Sequence, residues 1–403
     1  MSFVQQTQLA QSFSEPCGPQ VLFTHYHRDA CMFASPGQTL LAHGVAATLP
    51  LVMSGSPAAL AGHAAAFLRQ ASEAGHAGWL IGAIPFLPGA AAHLFIPEHV
   101  ELAGGGRAAL VGGPRPVRTV AARSEPAEAV YEQNVSRALE RIADGKLQKV
   151  VLSRSLHIQA ELDQAELLQT LASRNPLGYT YAIPLPTANG ERRSLIGASP
   201  ELLLARHGNR VISNPLAGSI PHSSDPAEDR QRAENLLRSP KDLHEHALVV
   251  EAVAEALRPY CTDLLVPEAP SLLSTPTMWH LSTEVTGTLR DPATTSLELA
   301  LALHPTPAVG GYPTAEAREF IQAFEGFDRG FFTGLVGWCN AQGDGEWAVT
   351  IRCAEVGEQS STLYAGAGIV AGSEPALELA ETAAKLRTML GAMGLALAEE
   401  NRA

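Results

Sequence analysis

Short runs of alternating apolar and polar residues dominate the chain, interrupted by fewer stretches with helical spacing. Up to about residue 125 this pattern predicts strands over Gln20–His25 and Trp79–Pro85 and an alanine-rich helix over Pro57–Ala74. The Gly- and Pro-containing stretch 104–116 reads as a linker or a long hairpin. A helix over Ala127–Asp144, closed by Gly145, precedes the strand Lys149–Ile158. Strands follow at Tyr179–Pro184, Ser194–Gly197, Leu202–Arg206 and Arg210–Ser213. Residues 225–258 predict two helices in tandem. Asp225 and Pro226 open the first, and Ser239, Pro240 and Asp242 give the second an N-cap, a first-turn proline and a capping acid. Gly334–Asn340, Glu346–Glu355 and Ser361–Ala365 read as strands, and Ser373–Leu390 as a last helix ending at Gly391. Strand pairs on short connections, with helices in separate blocks, predict an α+β fold of antiparallel sheets with helices packed outside.

Composition narrows the function classes. The 403 residues carry 41 acidic against 28 basic side chains, a formal charge of −13, and no basic run, which argues against a nucleic-acid partner. An anionic ligand would need a few local cations or a metal. Residues 30–68 lack Asp, Glu, Lys and Arg, but Pro36, Pro50, Pro57, His43 and His63 interrupt them, so buried helix and strand are expected there and no membrane span. The five cysteines have no metal or disulfide spacing and fit a reducing cytoplasm, and the N-terminal residues do not read as a signal peptide.

Several residues could carry chemistry. The last helix places Glu378, Glu381 and Lys385 on one face. Either Glu381 and Lys385 form an exposed pair worth about 0.3–0.5 kcal/mol, or the carboxylates are ligands for a hard divalent ion with an ammonium beside it. On the helix from Ser239, Leu243, Val250, Ala254 and Leu257 form one apolar stripe, while Glu245 lies opposite with Val249 and Ala252. A carboxylate on so doubly apolar a helix must be paired, protonated or metal-bound. His244 and His246 diverge at i, i+2 and HExxH is absent, which argues against zinc. Carboxylates from two helices favour Mg²⁺.

Lys149 shares a strand face with Val151 and Ser153, and Glu201 sits in the turn-like Ala198–Glu201. Each has a bland reading as a solvated residue; together they could make a base and acid pair, the lysine depressed and the acid raised by burial. Arg352 has apolar strand neighbours and would want a carboxylate. His280 is either a satisfied core histidine or part of a site. The glycines of Ala365–Gly372 miss the dinucleotide spacing by one residue and lack a βαβ setting, yet Gly366 and Gly368 could offer backbone N–H groups to a carboxylate. The small-residue loop Pro215–Ser219, with Gly218 and Ser219, has the same potential.

Together the segments KVVLSR (149–154), GASPELLL (197–204), PLAGS (215–219), SPKDLHEH (239–246), TPTMWHL (275–281), HPTPAVGGYP (304–313), GEWAVTIRC (345–353) and AGAGIV with ELAETAAK (365–385) resemble the chorismate-utilising enzymes, most closely isochorismate synthases of the catechol-siderophore type. The likeness is strong over about 125–395 and looser before it, at Ile81–Phe86 and Phe95–Pro97. It implies one large α+β domain over 1–403, acting in the cytoplasm as a monomer without a glutaminase subunit. It also implies Mg²⁺-dependent conversion of chorismate to isochorismate for 2,3-dihydroxybenzoate and siderophore production. Lys149 matches the base that activates water for attack on ring C2, and Glu201 the acid that protonates the departing C4 hydroxyl. Glu245 and Glu381 match the Mg²⁺ ligands, with Glu378 supporting them. Gly218, Ser219, His280, Arg352, Gly366 and Lys385 match the substrate-holding positions. Ala308 and its neighbours read as the form that stops at isochorismate. Salicylate synthesis with pyruvate release, supply of menaquinone, and a non-catalytic chorismate-binding protein are the alternatives.

Overall fold

The computed structural model describes residues 18–105, 117–187 and 190–398. The N-terminal residues read for a signal, Cys17 and most of the 104–116 stretch lie outside them. Among the described residues the strands form antiparallel sheets of ten, nine and three strands, plus one two-stranded parallel pair. The ten-stranded sheet runs Gly311–Tyr312, Lys149–Gln159, Ser360–Val370, Cys353–Val356, Ser194–Ser199, Tyr179–Pro184, Cys31–Ala34, Gln38–His43, His99–Gly104. Ala122–Glu125 adds to the outer edge of Lys149–Gln159. The nine-stranded sheet has Leu202–His207, Gly345–Val349 and Leu335–Asn340 at its centre and Trp79–Ile84, His93–Ile96 and Ala47–Leu49 toward one edge. Strands from the first 105 residues thus complete both large sheets.

The two sheets pack face to face because the alternating strands give each an apolar inner side. Phe33, Leu40, Tyr181 and Leu195 from one sheet meet Ile81, Val336, Trp338 and Ala348 from the other. Helices cover the outer faces. Pro57–Glu73, Pro240–Leu257 and Ser296–Leu303 pack on the nine-stranded sheet; Pro19–His25, Gln164–Arg174 and Pro375–Met393 pack on the ten-stranded one. This is the α+β architecture that the sequence pattern predicts. No helix among the described residues is long and apolar enough to cross a membrane.

The tandem helices start where predicted. The Asp225 carboxylate accepts from Ala227 N and Glu228 N, and Ser239 Oγ accepts from Asp242 N. Five local expectations are corrected. Gln20–His25 is helix, because Pro19 starts a turn that buries Leu22 and Phe23. Pro215–Ser219 is not a loop: Leu216–Pro221 is a strand. The strand ending in Ala365 continues to Val370, its glycines paired in register with Ser153 and Val151. Glu346–Glu355 is two strands, parted at Arg352 with φ +50°. The last helix passes Gly391 and ends at Gly394, whose φ of +67° supplies the left-handed cap.

Candidate active site

Two crossings between the large sheets create the site. Glu201 sits where the chain leaves Ser194–Ser199 for Leu202–His207, and Arg352 where it returns from Gly345–Val349 to Cys353–Val356. Arg352 holds a left-handed conformation that an L side chain adopts only when its surroundings enforce it. The three-stranded sheet of Leu216–Pro221, Met278–Ser282 and Ser271–Ser274 and the helices bearing Glu245 and Glu381 close the opening. Between them lies a cleft lined by the ten-stranded sheet, both crossings, the Leu216–Pro221 strand and these two helices.

Ten of the predicted positions line this cleft: Glu201, Gly218, Ser219, Glu245, His280, Ala308, Arg352, Gly366, Glu381 and Lys385. Lys149 and Glu378 stand behind its wall. Lys149 is fully buried, with Nζ 2.8 Å from Glu245 Oε1 but with no well-directed hydrogen bond. Glu378 is buried against Lys241 at 3.0 Å, and burial followed by repulsion from Glu381 raises its pKa. Glu381 and Lys385 make a 2.6 Å pair that is mostly buried, so the exposed-pair reading of the last helix does not hold. Burial pushes Glu381 upward, but the Lys385 ammonium prevails and holds it below the usual carboxylate range. Lys385 also donates to Gly366 O at 2.8 Å, and Ser219 Oγ donates to Glu381 Oε1 at 3.2 Å.

Glu201 is buried in the cleft wall. Burial raises its pKa to about 7, against the opposing Leu216 N–H and the nearby Lys149, Arg352 and Lys385. Arg352 is buried and has no carboxylate in ion-pair contact among the described residues, although Glu381 and Glu201 lie near enough to act on its charge. Its Nη2 donates to His280 Nε2 at 3.3 Å. His280 is therefore neutral: burial, then the charges of Arg352 and Lys385, put its pKa well below the usual range. The guanidinium keeps donors for an incoming anion. His246 turns away from the cleft, donating to Ala217 O and accepting from Thr283 Oγ1, which pins the Leu216–Pro221 strand.

Small residues make room where backbones converge. A Cβ on Gly368 would stand 2.2 Å from Glu245 Oε1 and 3.0 Å from Lys149 Cε; one on Gly218, with φ +76°, would press on Asp242 and Leu281. The two glycines of the strand therefore serve close approach as well as any N–H they offer. Sequence reasoning missed Tyr364, which shares a strand face with Gly366 and Gly368, so period-two counting would have reached it. Thr333, at φ +60°, carried no comparable signal.

Among the described residues no three Asp, Glu, His or Cys side chains stand ready as a metal-holding group. Each candidate carboxylate instead faces an ammonium: Glu245 with Lys149, Glu378 with Lys241, Glu381 with Lys385. The donor set still fits a hard divalent ion, being buried, made of oxygen alone, and joined by Asp242, whose pKa is raised by burial and by repulsion from Glu245 and Glu381.

Removing the Arg352 guanidinium tests its place in the cleft. Arg352→Met should weaken binding of an anionic substrate in the cleft on the order of 10- to 100-fold, as loss of a charge-assisted contact predicts. A KM that rises by this factor, with a smaller change in kcat, measures this.

A model described as chorismate binding enzyme matches residues 111–394. Isochorismate synthase DhbC of Bacillus subtilis is 51% identical over 386 residues, covering 93% of this chain and 96% of its own. The vibriobactin-specific isochorismate synthase of Vibrio cholerae is 45% identical, covering 93% and 94%. A Bacillus anthracis crystal structure, described as a 2,3-dihydroxybenzoate-specific isochorismate synthase DhbC, aligns with a TM-score of 0.88 at 51% identity, over 94% of this chain and 100% of that one. With relatives and fold in agreement over nearly the whole length and the family profile over residues 111–394, this chain belongs to the chorismate-binding enzyme family, among its isochorismate synthases.

Proposed function

We propose that the chain converts chorismate to isochorismate with Mg²⁺, water adding at ring C2 as hydroxide leaves C4, and that the product feeds 2,3-dihydroxybenzoate and siderophore synthesis. The observation that carries the residue roles is the single cleft in which Glu201, Arg352, Lys385, Glu381 and Glu245 meet, with Lys149 directly behind Glu245.

Water displaces hydroxide slowly unless one group removes its proton and another protonates the leaving oxygen, each worth about 10²- to 10⁴-fold. Glu201 suits the second task, because burial leaves it a usable acid near neutral pH. Lys149 suits the first as the neutral amine: it is buried directly behind Glu245, and its Nζ has no directed hydrogen bond to give up. Arg352 and Lys385 take the substrate carboxylates, with the Arg352 fork oriented by His280. Glu245 and Glu381 would hold the metal and Glu378 would back them. Held there, Mg²⁺ would supply positive charge beside Glu245, relieving Lys149 of its pairing so that the amine could be neutral, and would offset the charge of the substrate's ring carboxylate.

Incubating the purified protein with chorismate, with Mg²⁺ or with a chelator, tests the reading. Chromatography should show isochorismate as the only product, in a reversible mixture, and turnover should vanish with the chelator and return on adding Mg²⁺. Release of pyruvate with salicylate, or equal rates in both arms, would reject it.

A further inference from the structure

The strand that carries Lys149 is incompletely paired on its outer edge. Ser360–Val370 pairs along its whole inner edge. Outside, Gly311–Tyr312 covers residues 149–150 and Ala122–Glu125 covers 155–158, leaving residues 151–154 without a strand. Buried backbone groups cannot stay unsatisfied; here Val151 N donates to the backbone Gly310 O at 2.9 Å, and side chains meet the rest. Val151 O accepts from Arg329 Nη2 at 2.8 Å, and Ser153 N donates to Glu325 Oε1 at 2.6 Å.

Arg329 and Glu325 form one rigid unit. The guanidinium and carboxylate bond through Nε and Nη2, both at 2.6 Å, and both residues are 2% exposed. The remaining contacts reach into the cleft wall: Nη1 donates to Val309 O at 2.8 Å and to Thr333 Oγ1 at 3.0 Å. Five N–H donors thus serve Glu325 twice, Val151, Val309 and Thr333, the full capacity of a guanidinium. Phe86 closes one face, its ring centre 4.4 Å from Arg329 Cζ. Val151, Val309 and Thr333 all line the cleft.

We propose that the Glu325–Arg329 pair is a positioning element for the reaction: it replaces the missing strand beside residues 151–153, and so fixes Lys149 and the cleft wall at Val151, Val309 and Thr333 in register. Neither residue reaches the cleft. The inference rests on Lys149 as the base, so Lys149→Ala is assayed in parallel; activity there would remove that assignment rather than this one.

The test measures kcat and KM for chorismate in Arg329→Lys, Glu325→Gln and the double variant, normalised to the folded fraction from circular dichroism. Lysine keeps the charge but has three donors at one point, so it cannot span four partners. Each single change should lower kcat about 10- to 100-fold with KM within about threefold, the size expected for ångström-scale misplacement. The double should fall no lower than the worse single, since the pair acts as one unit. Phe86→Leu, which keeps all five hydrogen bonds, guards against misfolding and should lower kcat about threefold or more. Unchanged kcat per folded molecule alongside a lowered melting temperature, or a rise in KM alone, would overturn the proposal; so would unchanged kcat in Phe86→Leu if the other variants do not fold.

Discussion

Lys149→Ala should lower the rate of isochorismate formation at least ~10³-fold at saturating chorismate and Mg²⁺, with the sheet intact by circular dichroism. The strand around residue 149 is held on both sides, by Val370 and by Tyr312, so truncating the side chain leaves the backbone in place. What disappears is a fully buried amine 2.8 Å from Glu245. Breaking a buried pair also leaves a carboxylate without its counter-charge, a loss on the order of 3–5 kcal/mol without metal. Mg²⁺ should restore much of that stability, because it offers Glu245 another cation, but none of the rate. A melting temperature that rises on adding Mg²⁺ while turnover stays absent separates the two effects. A variant within tenfold of the parent would remove Lys149 as the base.

Glu201→Gln should abolish turnover to a similar degree and should also change how stability depends on pH. Burial raises the Glu201 pKa in the folded protein to about 7, above the usual carboxylate value of 4.5. Its contribution to stability is therefore fully present below pH 4.5 and is lost as the pH climbs to about 7, where the buried carboxylate ionises. The difference is on the order of 3 kcal/mol. Glutamine has no such ionisation. Glu201→Gln should melt close to the parent at pH 4.5 and several degrees higher at pH 8, while remaining inactive. In the parent, kcat/KM should decline above about pH 7 as the acid loses its proton. Equal melting at pH 8 together with parental rates would deny Glu201 both the buried position and the role.

Much of this site was legible because its residues announce themselves locally. Glu245 on a helix apolar on both sides and Glu378, Glu381 and Lys385 on one face need only the 3.6-residue period. Lys149 with Val151 and Ser153 needs only the two-residue period. The strand pairing between distant segments was not legible, and it decides where the glycines go. Gly366 and Gly368 looked like a loop because glycine weakens strands. Only the neighbouring Ser153, Glu245 and Lys149 explain their presence inside one. The strand break at Arg352 escaped in a similar way. Alternation ran unbroken through Thr350–Cys353, and the passage from one sheet to the other that parts it is a tertiary fact. Pro19–His25 went to helix over an apparent alternation because Leu22 and Phe23 found a buried face. Glu325 and Arg329 carried no signal, since an i, i+4 ion pair reads as surface until burial is known.

The most direct test of the chemistry is the fate of the oxygen atoms. Chorismate turned over by the purified enzyme in ¹⁸O-enriched water, and analysed by mass spectrometry at early conversion, should give isochorismate with one solvent-derived oxygen on C2 and none elsewhere. Isochorismate free of label would mean that the original hydroxyl migrates within the ring, and would contradict a water activated by Lys149 and a hydroxide released to Glu201.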